Sequence, residues 1–213
     1  GLGITAEGDM LAALGLRYGT DEAIDFAVEV QKTLALGAYR ASVEMAGERG
    51  AFPIYDAKKE ENNPMIARIR EADPALYEEM VKKGRRNIAM LTIAPTGTTS
   101  LMSQTTSGIE PVFRPVYKRR RKVNPSDKDV KITFVDEVGD SWEEYNVYHH
   151  KFLTWLEVNG YSTDMLDKIT DEELDKLVEK SPYYKATAND IDWVAKVKMQ
   201  GACLLYTSPS PRD

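Results

Sequence analysis

The segment Ile88-Ala-Met-Leu-Thr-Ile93 constrains this chain most. It is a nearly continuous apolar run, bounded by Arg86-Asn87 and Pro95, without the spacing of an amphipathic helix. Such a run is expected of a strand buried on both faces, as in a parallel sheet. The next residues, Ala94-Pro-Thr-Gly-Thr-Thr-Ser100, form a glycine turn before Leu101-Met102, the first apolar residues of an expected helix. A strand that turns through glycine into a helix leaves unpaired amides at the carboxyl end of the sheet, where the helix dipole is positive. Thr96, Gly97, Thr98, Thr99 and Ser100 are therefore candidate anion-binding residues. Gly97 removes the Cβ that would keep a phosphate off the backbone, and the hydroxyls donate without adding charge. No Gly-Lys-Ser/Thr follows, so this is not a Walker loop, and the chemistry implied is cradling rather than phosphoryl transfer. The competing reading is a hydroxyl-rich turn that only caps a helix.

Around this segment helical signals dominate. Thr20-Asp21-Glu22 is a helix start, with Ile24, Val28, Gln31, Leu34, Ala38, Ala41 and Met45 marking one face until Gly50. Asn63-Pro64 and Asp73-Pro74 open two shorter helices, the second closed by Gly84. Val112 to Val123 reads as one or two extended pieces around Pro115, and Val130 to Val135 as a short strand. From Ser141, residues Trp142, Tyr145, Tyr148, Phe152 and Trp155 read as the core-facing stripe of a helix ending at Gly160, with Trp142, Trp155 and Trp193 as packing residues. Thr170-Asp-Glu-Glu173 is a capping box, and Ile191 to Ala202 a further helix. A helix-rich chain with a buried strand points to an α/β fold.

Composition narrows the function. A hydrophobic fraction of 42% with 29% charged residues is that of an ordinary globular protein. No apolar run reaches the roughly 18 residues of a membrane helix, and Gly1 to Met10 lacks a signal-peptide pattern, so a cytoplasmic setting is expected. The net charge of -6 argues against a general nucleic-acid binder. Lys118-Arg-Arg-Arg-Lys122 is the one strong basic run; it reads as a solvated face, with the alternative that alternate side chains reach bound phosphates. A lone Cys203 excludes an internal disulfide framework, and His149-His150 without companion ligands predicts no metal site. The chain starts without methionine at Gly1-Leu-Gly-Ile4, like a strand end whose beginning is missing, and is expected to be a fragment. Residues 1–202 are expected to be one piece. The string from Cys203 to Asp213, with two prolines spaced by serine, is expected to be a non-native or disordered tail, so Cys203 is given no functional weight.

The run from Arg86 to Ser100, continuing through Thr106-Ser-Gly-Ile-Glu-Pro-Val-Phe113, resembles the large, catalytic subunit of ribonucleotide reductases, most of all the adenosylcobalamin-dependent class. Gly1-Leu-Gly-Ile4 with Leu14-Gly15, Ala38-Tyr-Arg-Ala-Ser42, Gly50-Ala-Phe-Pro53, Val116 to Val123 and Asp192-Trp193 to Met199-Gln-Gly201 resemble it in the same order. The resemblance implies the C-terminal portion of a ten-stranded α/β barrel. It also implies a thiyl radical, generated by homolysis of the cobalt-carbon bond, that abstracts the ribose 3'-hydrogen, and a cysteine pair that supplies electrons. It places substrate phosphates on Pro95 to Ser100 and a neighbouring active-site loop at Gly108, Ile109, Glu110 and Pro111. Glu110 is then a supporting residue, with a general acid/base role as the alternative. An external dithiol reductant such as thioredoxin and the remaining N-terminal part of the enzyme are the implied partners. No Asn-x-Cys-x-Glu occurs here, so this chain is not expected to catalyse the reaction alone. Two alternatives stand: a class with a separate radical-generating subunit, and a non-catalytic nucleotide- or RNA-binding module.

Overall fold

A computed structural model describes residues 1–124, 126–127 and 130–207 of the chain. In order it contains α1 (Glu7–Ala13), α2 (Asp21–Arg49), α3 (Pro64–Ala72), α4 (Pro74–Lys83), α5 (Gly97–Ser103), β1 (Val116–Lys122), β2 (Phe134–Val135), β3 (Ser141–Tyr148), α6 (His150–Val158), a 3-10 turn (Thr163–Met165), α7 (Asp171–Lys180) and α8 (Trp193–Leu204).

Helix α2 is the spine. The Thr20 hydroxyl accepts from the Ala23 amide and Gly50 ends the helix at φ 81°, both where the sequence puts them. The buried stripe is Ala23, Ile24, Ala27, Gln31, Ala35, Tyr39, Ser42, Val43 and Ala46, rotated from the expected face, and Ala41 is exposed. One end of α2 packs with Leu11, Tyr18, Ile109, Ile191 and Met199. The other packs with Met65, Ile66, Ile69, Leu76, Met80, Met90 and Leu91. Helices α3 and α4 start at Asn63-Pro64 and Asp73-Pro74 as read, each with the cap side chain accepting from a first-turn amide. A third cluster gathers Phe152, Leu156, Leu166, Leu174, Leu177 and Tyr183, with α7 opened by the Thr170-Glu173 capping box.

Three expectations are corrected. The run Ile88 to Ile93 is not buried on both faces: Met90 and Leu91 are buried, but Ile88 is 59% exposed. Its strand pairing is a parallel bridge between Leu2 and Leu91, with the Leu2 amide donating to Met90 O at 2.6 Å and the Thr92 amide to Leu2 O at 2.9 Å. Burial on both faces needs a layer on each side, and among the described residues α2, α3 and α4 supply one. The stretch from Ser141 to Tyr148 is a strand, not the first half of an aromatic helix; the helix starts at His150. Its Trp, Tyr and Val content favours the pleated conformation, and antiparallel pairing sets Glu143 and Glu144 against Arg121 and Arg120 of β1. Trp193 is 73% exposed rather than packed, because it stands at the first turn of α8 while Met199 carries the buried side.

The sheet order is β1-β3-β2, antiparallel throughout. The short strand expected at 130–135 is confined to Phe134–Val135. Helix α8 runs through Cys203, which is fully buried, to Leu204; residues 208–213 lie outside the described residues. No helix among the described residues is long and apolar enough to cross a membrane.

Beside α2, Arg85 is 3% exposed and surrounded by the rings of Tyr39, Phe52 and Tyr55 at 5.2 to 5.8 Å. Glu60 takes both guanidinium nitrogens, Arg85 Nη2 donating to Oε1 at 2.7 Å. Removing one partner of a buried pair strands the other charge. Glu60→Ala is therefore expected to lower the unfolding free energy by about 3 kcal/mol in urea denaturation; a loss below about 1 kcal/mol would show that water reaches Arg85 instead.

Candidate functional site

The site is built where α1 meets the loop 105–111. Ala6 precedes α1 with φ 68° and supplies no side-chain cap. The loop caps the helix instead: the Ala6 amide donates to Thr106 O at 3.2 Å and the Glu7 amide to Gly108 O at 3.1 Å. Asp9 completes the junction, its amide donating to Thr106 Oγ1 at 3.2 Å while its Oδ2 accepts from the Thr106 amide at 2.8 Å. Gly8 permits the approach, because a Cβ there would lie 2.5 Å from Glu110 O.

Asp9 is buried, and donors surround its other oxygen. Oδ1 accepts from Tyr183 Oη at 2.9 Å and is 2.7 Å from His149 Nε2. Burial and the adjacent Asp9 carboxylate push the Tyr183 phenol far above its ordinary range. His149 is thus a structural partner of Asp9, and no group of three His, Cys, Asp or Glu suited to a metal occurs among the described residues.

The two predicted segments, 95–100 and 108–111, are brought together. The Gly108 amide donates to Thr96 Oγ1 at 2.6 Å, and Ser100 Oγ lies 2.9 Å from Ser107 Oγ. Thr96 is also 2.8 Å from Thr5 Oγ1, and Ser100 Oγ donates to Gly97 O at 2.8 Å. The hydroxyls of Thr96 and Ser100 are therefore engaged inside the protein. Gly97, Thr98 and Thr99 differ: they are exposed, and among the described residues neither the amides nor the hydroxyls of Thr98 and Thr99 have a partner. A Cβ on Gly97 would meet nothing within 4 Å, so packing does not demand glycine there. Pro95 is exposed at the entrance of the turn.

In the second loop Gly108 has φ 38°, which favours glycine, and a Cβ there would stand 3.2 Å from Ala94 O; Glu110 Oε2 folds back to 2.7 Å from the same point. Ile109 is buried and its carbonyl accepts from Tyr18 Oη at 2.5 Å. Glu110 is exposed and, with Ser100 and Pro111, borders a cleft of about 670 Å³ that reaches Arg114, Tyr117 and His149.

The basic run is largely neutralised. Lys118 pairs with Asp171 at 2.5 Å, Arg120 with Glu144 at 3.2 Å, Arg121 with Glu143 at 2.9 Å and Lys122 with Asp140 at 2.5 Å. A run of cations therefore reads locally as a basic patch but meets its acids across the hairpin and on α7.

Sequence reading missed Thr5, Glu7, Asp9 and Tyr18. Acids in a first turn look like ordinary dipole partners, so nothing local separates Glu7 and Asp9 from surface residues; the one hint is two acids directly before the apolar Leu11-Ala12. Glu7 is 1% exposed, its Oε2 accepting from Gln31 Nε2 at 3.3 Å. Desolvation pushes its carboxyl up to about 7 against the bonds from Gln31 and Cys203, with Glu110 adding repulsion.

Comparison with known proteins decides the family. A family model described as the ribonucleotide reductase barrel domain matches residues 1–210. The chain belongs to the ribonucleotide reductase barrel-domain family. It is similar to the vitamin B12-dependent ribonucleoside-diphosphate reductase of Mycobacterium tuberculosis (strain ATCC 25618 / H37Rv), 35% identical over 119 residues, covering 56% of this chain and 14% of that protein. The protein of that name from Thermoplasma acidophilum is 27% identical over 206 residues, 97% of this chain and 23% of the relative. The ribonucleoside-diphosphate reductase subunit alpha of Treponema pallidum is 27% identical over 125 residues, 57% of this chain and 15% of the relative. The chain thus spans between 14% and 23% of the length of these relatives. The reductase segment joins helices to a three-stranded sheet in a mixed α/β arrangement.

Glu7 makes the stability of the segment fall with rising pH. The folded form keeps the proton up to about pH 7, whereas the unfolded chain releases it near 4.5, so between these values the unfolded state binds fewer protons and gains on the folded one. Glu7→Gln is expected to remove this decline and to raise the unfolding free energy at pH 8 by on the order of 3 kcal/mol. Urea denaturation of both proteins from pH 4.5 to pH 8 checks it; parallel curves would show that Glu7 ionises freely.

Proposed function

We propose that this chain is the part of a ribonucleotide reductase that holds the phosphates of a ribonucleotide, within the C-terminal portion of a ten-stranded α/β barrel. The single observation that carries the reading is the surface at Gly97-Thr98-Thr99. Among the described residues, two adjacent amides and two hydroxyls lack protein partners beside a glycine with open space over it. Donors without charge, at a helix start, suit an anion that must be bound and later released. Thr96 and Ser100 shape this surface from behind.

The whole reductase, in this reading, converts ribonucleotides to deoxyribonucleotides by thiyl-radical chemistry in the cytoplasm. It draws electrons from an external dithiol such as thioredoxin, and the radical-bearing and reducing cysteines lie elsewhere in the complete enzyme. Adenosylcobalamin is proposed as its cofactor because relatives at 35% and 27% identity carry vitamin B12 in their names. The described residues gather no group of three His, Cys, Asp or Glu suited to a metal. The relative named subunit alpha supports the alternative of a separate radical-generating subunit. An RNA-binding role is disfavoured by the ion pairs that occupy the basic strand.

In a full-length reductase carrying this segment, Gly97→Val is expected to raise the substrate KM at least tenfold with an unchanged melting temperature, because the new side chain occupies space the fold leaves empty. Thr98→Ala should weaken substrate binding by about 1 to 3 kcal/mol. Substrate titration and thermal melting read both, and wild-type affinity in the two variants refutes the cradle.

A further inference from the structure

We infer that Thr5 is a positioning residue for the Gly108–Pro111 loop, acting through the hydroxyl of Thr96; the functional part of this inference rests on the reading of that loop as part of the active site. The hydrogen bonds form one connected chain. The Gly108 amide donates to Thr96 Oγ1 at 2.6 Å, and Thr5 Oγ1 donates to Thr106 O at 3.3 Å. The 2.8 Å contact between the two hydroxyls, in which either can donate, closes the path. The path Gly108 N–H to Thr96 to Thr5 to Thr106 O thus ties together residues on either side of Ser107. Its two hydroxyl links come from segments 91 residues apart.

This chain fixes the turn in which Gly108 takes positive φ and over which the Glu110 carboxylate lies. It also gives Thr96 a different part from Thr98 and Thr99. Its hydroxyl is engaged by both the Gly108 amide and Thr5, so it holds the loop. A valine in place of Thr5 keeps the branched shape but removes the relay. Thr96 then loses its hydroxyl partner and, among the described residues, Thr106 O keeps only the Ala6 amide. A serine restores the hydroxyl, and with it the chain.

Amide hydrogen exchange of this 213-residue chain, followed by NMR, tests the geometry. In Thr5→Val the Gly108 amide is expected to exchange about tenfold faster, while the Gly84 amide, bonded to Met80 O at the far end of α4, keeps its rate. Thr5→Ser should return Gly108 to the original rate. The same substitutions in a full-length reductase carrying this segment should lower kcat about tenfold for valine, with KM within twofold, and leave serine near the parent. Unchanged Gly108 exchange in Thr5→Val, or failure of serine to rescue it, overturns the positioning role. If Thr5→Val gives no folded protein, Thr5→Ala compared with Thr5→Ser carries the same two outcomes. Faster exchange with unchanged kcat overturns the link from Thr5 to catalysis. A Gly97→Val variant with parent-like KM overturns the phosphate cradle alone and leaves the Gly108 result standing.

Discussion

Everything around the candidate site depends on how the first turn of α1 is satisfied. A helix must find acceptors for its leading amides, and Ala6 offers none from its side chain. The carbonyls of Thr106 and Gly108 and the hydroxyl of Thr106 take that place, while Asp9 returns a bond to the Thr106 amide. Residues nearly 100 positions apart thereby share a single set of donors and acceptors. Neither side has regular structure to stabilise it alone: α1 is seven residues long and the loop forms no ladder. The junction orders both, and the Thr5–Thr96 contact extends the order to the turn that starts α5.

The same junction concentrates buried polar groups. Asp9 is compatible with burial because three protein donors, from Thr106, Tyr183 and His149, surround its carboxyl. Glu7, two residues away, meets mainly an amide and a thiol, and desolvation pushes its carboxyl up to about 7. The hairpin shows the opposite solution: acids and bases meet at the surface across β1 and β3, where water screens them and the pairs set register more than they add stability.

Much of the architecture was legible locally. Thr20, Asn63, Asp73 and Thr170 act as caps in the structure, since a side-chain oxygen answering an amide a few residues on needs no distant partner. The stretch 141–148 was misread because Trp142, Tyr145, Tyr148 and Phe152 keep helical spacing across a boundary at His149. Spacing counts residues without knowing whether a strand lies alongside, and the antiparallel ladder with β1 takes 141–148 into the sheet. The α2 stripe was displaced for a related reason: periodicity finds a face, whereas the neighbours packed on it decide how that face is turned.

The sequence alone determined the helix starts, the turn at Pro95 to Ser100, the glycine-bearing loop at Gly108 to Pro111 and the family these carry, because each depends on residues within a few positions of one another. Tertiary structure decided which hydroxyls of the turn remain free. Thr96 and Ser100 are bound by Thr5, Gly108, Ser107 and Gly97, while Thr98 and Thr99 face outward. It also decided that Glu7 and Asp9 are interior groups. A hydroxyl or carboxyl has the same chemistry wherever it stands in a sequence; whether its proton and lone pairs are already occupied depends on atoms that only folding brings within 3 Å or so.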